Sequence, residues 1–150
     1  MCNTPGGLAR RLLDVTPTHA LIRLARYTWA APCSAIGLIA ALPAILAGAR
    51  LQLMRGALEV AITRPGTRMA GLMRHSPFSA ITFGHVIIGV DQDQLAHLRD
   101  HEQQHVRQYE LWGPLFFLAY PASSLMQLIR GHDPYRDNHF EVQAREQAKQ

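Results

Sequence analysis

Residues 95–112 run Leu95-Ala-His-Leu98-Arg-Asp-His101-Glu102-Gln-Gln-His105-Val-Arg-Gln108-Tyr109-Glu110-Leu-Trp112. Leu95, Leu98, Glu102, His105, Tyr109 and Trp112 recur every three or four residues, the interval that places side chains on one face of an α-helix. Asp91 or Asp93 can cap the start of that helix, and Gly113-Pro114 stops it just after Leu111. Leu95, Leu98 and Trp112 are expected to turn inward, which carries Glu102 and His105 toward the core. His101 and His105 stand four apart, so both imidazoles can reach one point in space. Glu102 is rotated from His101 by about 100° and stands beside that point without filling it. H-E-x-x-H at this spacing suits a helix that holds zinc through two His and uses Glu as general base toward a zinc-activated water. The pattern arises by chance in roughly one chain per hundred of this composition, so its surroundings matter.

Catalytic zinc takes three protein ligands and leaves one position for water. The chain has two cysteines, Cys2 and Cys33, and no Cys-x-x-Cys pair, so the third ligand has to be a His or a carboxylate. Beyond His105 the choices are Glu110, His132, Asp133, Asp137, His139, Glu141 and Glu146. Glu110 is rotated away on the same helix and is expected to be solvated. Glu141 opens a terminal helix, in Phe140-Glu141-Val-Gln-Ala144, which Asn138 can cap. It can point back across a helical hairpin and is the expected third ligand.

Other side chains could assist, each with a plainer alternative. Gln108 and Tyr109 could support the imidazoles from behind, although core packing is the simpler role for Tyr109. Tyr135, Arg136 and His139 could steady an oxyanion or only fix their loop. His85 could line the cleft on a substrate-edge strand, although a lone strand His is more often just hydrogen-bonded.

Around the motif helix the sequence predicts an α+β chain. Leu51–Met54 and Ala57–Ile62 flank Arg55-Gly56 as a short β-hairpin, with Gly supplying the turn conformation. Residues 64–78 read as a loop, and Ser79–Val90, β-branched and broken by Gly84, as one bent strand or a tight hairpin. Residues 114–129 form a second apolar helix bent at Pro121, and 131–138 a turn-rich connector.

Thr28–Ala49 is twenty-two residues without a charge, between Arg26 and Arg50. About 20 apolar residues suffice to cross a bilayer core. Tyr27 and Trp29 sit where an interfacial aromatic belt would place them. Pro32, Gly37, Pro43 and Gly48 favour a kinked span or a re-entrant hairpin over a straight helix. A buried soluble helix or a signal-peptide core are the alternatives. Arg10, Arg11, Arg23 and Arg26 precede the run while Arg50, Arg55, Arg64 and Arg68 follow it, so charge sets no orientation. Three segments follow: residues 1–27, a loose arm and amphipathic lead-in; 28–49, a transmembrane or re-entrant helix; and 50–150, the metal-binding domain. Of 15 basic residues 14 are Arg, spread along the chain and not clustered, which argues against nucleic acid as a partner.

His101-Glu102-Gln-Gln-His105 followed by Phe140-Glu141-Val-Gln-Ala144 resembles the paired motifs of the gluzincin membrane proteases that process CAAX-type prenylated proteins, and of their bacterial heat-shock relatives. The resemblance covers residues 95–147. It implies a zincin-like core, Zn2+ as cofactor, His101, His105 and Glu141 as ligands, Glu102 as general base, and peptide or protein substrates. Arg145 stands where those families carry an Asp that supports a ligand. The wider pattern resembles short bacterial membrane-associated H-E-x-x-H proteins, which implies the inner (cytoplasmic) membrane and contact with lipid, but no activity. Two rival readings are a membrane-anchored binding or assembly protein with a structural or vestigial metal, and a soluble or peripheral module without metal.

Overall fold

The computed structural model describes residues 17–63 and 79–149. The expected arm up to residue 16 and the loop over 64–78 lie outside the described residues. The chain runs through helix α1 (Pro17–Leu46), strands β1 (Arg50–Met54), β2 (Ala57–Ala61), β3 (Ala80–Phe83) and β4 (Val86–Gly89), then helix α2 (Gln92–Trp112). A single 3-10 turn (Gly113–Leu115) leads into α3 (Phe116–Ile129), and α4 (His139–Gln147) closes the chain.

The amphipathic lead-in and the charge-free run form one uninterrupted helix with Pro32 and Pro43 inside it. No break separates residues 27 and 28, and no re-entrant hairpin forms. Each internal proline removes one backbone hydrogen bond; packing along one side holds the helix together across both. Over Ala20–Leu46 α1 is long and apolar enough to cross a membrane, and only 22% of its most apolar window is buried. It is therefore not an ordinary core helix.

The sheet order is β1-β2-β4-β3, with β2 and β4 parallel and the outer pairs antiparallel. Arg55 and Gly56 both take positive φ (49° and 87°), the conformation a two-residue hairpin turn requires and glycine adopts without strain. Ser79–Val90 takes the tight-hairpin alternative, with Gly84 and His85 at its turn. Side chains alternate across a strand, and here both faces are covered. Val60 and Val86 pack on Ala41 of α1, while Ala57, Ala61 and Ile87 pack on Leu95 and Val106 of α2. Double coverage explains why β2 and β4 lack polar alternation. The exception is Glu59, 2% exposed, whose carboxylate accepts two hydrogen bonds from the Arg99 guanidinium of α2 at 2.8 and 3.0 Å.

Asp91 caps α2 by accepting from Gln94 N at 2.8 Å, which selects the first of the two expected caps. The inward face is as expected except at its end, where Trp112 is 40% exposed because the helix has passed the edge of the core. Asn138 caps α4 by accepting from Phe140 N, and its amide donates to Tyr120 O and Ser124 Oγ of α3. That side chain is fully buried and fixes where α4 begins.

Small residues let α1 approach the sheet. Ala30, Cys33, Gly37 and Ala41 recur at three- and four-residue intervals as a buried stripe. A Cβ on Gly37 would stand 2.8 Å from Val86 Cβ and 2.9 Å from Phe83 Cβ. Gly37→Ala is therefore expected to lower stability by about 1–3 kcal/mol through overpacking, outweighing a helix-propensity gain of about 1 kcal/mol. A lower urea midpoint for the variant in detergent micelles checks this.

Candidate metal centre

α2 presents His101 and His105 on one side, one turn apart, and α4 brings Glu141 against them. The two Nε2 atoms are 3.2 Å apart. Glu141 Oε2 lies 3.2 Å from His101 Nε2, and Glu141 Oε1 lies 3.3 Å from His105 Nε2. Donors held at about 2.0–2.1 Å around a tetrahedral ion stand about 3.3 Å apart, the separation at which each imidazole here faces the other and one of the two Glu141 oxygens. Among the described residues this is the group of three whose ligand atoms lie close enough, within 4.8 Å, to share an ion.

Chemistry of the donors agrees with their spacing. Glu141 is 3% exposed, and its Oε2 is buried without an aligned hydrogen bond. Its Oε1 accepts from the Tyr120 hydroxyl at 2.7 Å. A buried carboxylate oxygen that faces an imidazole nitrogen without an aligned hydrogen bond is an arrangement a cation completes. Gln108 sets the tautomer of His105. Its Nε2 donates to Phe140 O at 3.0 Å and to Gln143 Oε1 at 2.9 Å, which leaves Oε1 to accept from His105 Nδ1 at 2.8 Å. With the proton on Nδ1, the Nε2 lone pair faces the centre.

Glu102 is 5% exposed and lines the same cavity as the three donors. Thr82 Oγ1 donates to its Oε2 at 2.7 Å. Thr82 is paired with Ile87 in the sheet and so shares the face that meets α2. The cavity holds about 840 Å³ and lies between β3, α2, α3 and α4, with Ile81, Phe83, Leu98, Phe116, Phe117 and Pro121 among its walls. β3 is a sheet edge, so its outer backbone groups run along this space.

Burial alone would lift the Glu141 carboxyl, but the imidazoles of His101 and His105 and the Tyr120 hydroxyl outweigh it and hold it far below the ordinary carboxylate range. Burial works against a charged His105, and the Glu141 and Glu102 carboxylates with Gln108 overcome it, raising its pKa. The Tyr120 phenol is pushed up by burial and by the adjoining Glu141, so it remains a donor.

Not every expected residue reaches this place. Tyr135 lines the cavity, and burial with the Glu141 and Glu102 charges raises its pKa. Tyr109 lines it too, but as an apolar wall packed edge-on to Phe116 at 4.5 Å. Arg136 lies outside the cavity, contributing only a carbonyl that accepts from the Arg145 guanidinium. His139 is exposed at the start of α4, its backbone N–H donating to Ser123 Oγ. His85 occupies the β3–β4 turn, not an edge strand. It stacks on Tyr27 at 4.0 Å, lies 3.3 Å from Ser34 Oγ and 3.3 Å from Glu110 Oε1, and does not line the cavity. Glu110 is accordingly not solvated, being 19% exposed and also 3.8 Å from Arg26. Thr82 and Tyr120 were not among the expected site residues; a lone tyrosine in an apolar helix, whose hydroxyl needs a partner when buried, was the available signal. Arg145 sits 3.9 Å from Glu141 Oε2 and lines the cavity.

No family model, curated protein or solved structure matches this chain.

Metal must displace a proton from His105, whose raised pKa lies above 6.5, so Zn2+ affinity should fall as pH drops through that higher value. Without metal, the raised His105 pKa stabilises the fold below 6.5 and the contribution is lost as pH rises through the folded value; the lowered Glu141 contributes above 4.5 and is lost in stronger acid. Metal-free protein should thus be most stable between 4.5 and 6.5 and weaken as pH rises through the raised His105 value, while saturating Zn2+ reverses that loss. Thermal unfolding across pH, in EDTA and in Zn2+, tests both signs. Gln108→Leu should weaken Zn2+ binding roughly 10–100-fold by releasing the His105 ring, measured by competition with a chromogenic chelator.

Proposed function

We propose that the protein is a membrane-attached, zinc-dependent metallopeptidase in which His101, His105 and Glu141 hold Zn2+ and Glu102 is the general base. The observation that carries this reading is the pair of imidazoles that face each other and the two oxygens of buried Glu141 at 3.2–3.3 Å, one of those oxygens unsatisfied, set beside a second buried carboxylate in one cavity. Zinc, when bound, polarises a carbonyl and lowers the pKa of a water. The chain's own groups do the rest. Thr82 holds one oxygen of Glu102, leaving the other to take a proton from water in the cavity. Tyr135 and Arg145 offer donors to an oxyanion. The β3 edge can take an extended peptide as an added strand, with apolar side chains resting against Phe117 and Pro121. The bacterial inner membrane is the proposed location, supported by the apolar α1.

One observation favours a second reading, a membrane-anchored binding or assembly protein with a structural or vestigial metal site. Arg145 places a guanidinium 3.9 Å from Glu141 Oε2, where it competes with a cation for the carboxylate. The two readings separate on Glu102. In detergent-purified protein, Glu102→Gln should keep one equivalent of zinc and lose casein-type cleavage by about 100-fold or more, while His105→Ala should lose the zinc itself. Equal cleavage by wild type and Glu102→Gln would leave the binding protein as the answer. Wild type without stoichiometric zinc would end both readings.

A further inference from the structure

The contacts of α1 conflict with a helix that crosses a bilayer. Its packed side runs from Tyr27, whose hydroxyl donates to Gly56 O at 3.2 Å, through Ala30, Cys33, Gly37 and Ala41 to Ile45. At 1.5 Å per residue this contact extends roughly 27 Å, close to the whole thickness of a hydrocarbon core. The sheet and α2 lie alongside that length. An upright α1 would therefore immerse β1 and β3, the outer strands of the sheet among the described residues, in hydrocarbon, where lipid-exposed sheet edges do not occur. It would take polar groups along as well. Gln52 is exposed on β1 and accepts from Gln92, and β2, which touches Ala41, carries the Glu59–Arg99 pair on its other face. Charged groups held at the bilayer centre are costly and are found there only where protein or water shields them.

The other side of α1 is nevertheless bare and apolar. Leu24, Ile39 and Leu46 on α1, and Leu118, Leu125 and Ile129 on α3, are each more than half exposed. α1 adjoins the start of α3 where Ala30 and Cys33 pack on Phe116, and Trp29 ties α1 to the turn before α3, its indole N–H donating to Leu111 O at 3.3 Å and its ring covering Gly113. Trp29 and Trp112 remain partly exposed at this junction, as amphipathic rings do at a headgroup layer. Neither α1 nor α3 contains an acidic residue, while Arg23 and Arg130 stand exposed toward their ends. Clustered exposed apolar side chains rimmed by charge mark an interaction or membrane surface, and the arginines at this margin suit an anionic one.

We infer that α1 and α3 together form a monotopic docking surface that enters one leaflet of an anionic bilayer, with α1 lying in the membrane plane and both its ends on the same side. This depends on the packing of α1 and not on the metal, so zinc content and attachment are tested separately.

The test uses the full chain in a background with Cys2 and Cys33 replaced, with single cysteines at the exposed positions Arg23 and Gln52, and a membrane-impermeant maleimide. Both positions should react in one preparation, either spheroplasts or inverted membrane vesicles, and both should be protected in the other. Reaction from opposite sides would overturn the inference. In a second measurement, Ile39→Glu combined with Leu125→Glu should lower partition into vesicles of phosphatidylcholine with a quarter phosphatidylglycerol by at least about tenfold. A wild type that stays in solution as a dimer and does not sediment with those vesicles would assign the surface to a second copy and overturn it equally.

Discussion

Glu141 carries a charge into a place where water scarcely reaches, and the packing of α2, α3 and α4 follows from satisfying it. An ion taken out of water costs several kcal/mol unless partners surround it. Two imidazoles one helical turn apart stand at its two oxygens, and the charged form of His105 compensates it directly, which fixes the height of α4 against α2. The Tyr120 hydroxyl supplies another partner and fixes α3 against both. Asn138 then ties the start of α4 to α3 through two donated hydrogen bonds, so the carboxylate and its helix are located together. One oxygen still lacks an aligned donor, and a second carboxylate, Glu102, is buried in the same cavity. Two buried acids beside two imidazoles are better balanced by a divalent cation than by protons alone.

The neighbouring polar groups restrict what each of these side chains can do. Gln108 can accept from His105 Nδ1 only because its own amide nitrogen is committed to Phe140 O and Gln143. That commitment makes His105 Nε2 a lone pair facing inward. Thr82 ties Glu102 to the sheet, and the Glu59–Arg99 pair ties α2 to β2 from the same side. The motif helix is thereby held at two heights. Arg145 is the discordant member: its guanidinium is oriented by the Arg136 carbonyl, yet it lies close enough to Glu141 to offset part of the charge that would hold a metal.

Features set by local spacing were legible in the sequence. The α2 boundaries, the Arg55-Gly56 turn and the Asn138 cap depend on residues within a few positions, and a carboxylate on the first turn of α4 had few places to point other than at the two His. Features set by distant partners were not. Glu110 reads as a solvated residue on a helix back until α1 supplies Arg26 and the β3–β4 turn supplies His85. Thr82 becomes a partner of Glu102 only through its register with Ile87. The charge-free run has the length of a membrane span, and nothing in its composition reveals that Ala30, Cys33, Gly37 and Ala41 form a stripe seated on a sheet. Length measures whether a helix can cross a bilayer, whereas the stripe determines whether it is free to do so.

That stripe also links the apolar surface to the chemistry. Tyr109 and Phe116 pack with Ala30 and Cys33 of α1 in one cluster, and the same two rings form part of the cavity wall. A single layer of side chains thus separates the α1 backbone from the space beside His105. Interiors at close-packed density transmit displacement because they have no free volume to absorb it. A shift of α1 must therefore move Tyr109 or Phe116, and with them the wall facing His101, His105 and Glu141. Tyr109 follows Gln108, the residue that sets the His105 ring, by one position on a rigid helix. The packing that holds α1 to the domain is in this way part of what keeps His101, His105 and Glu141 at their spacing.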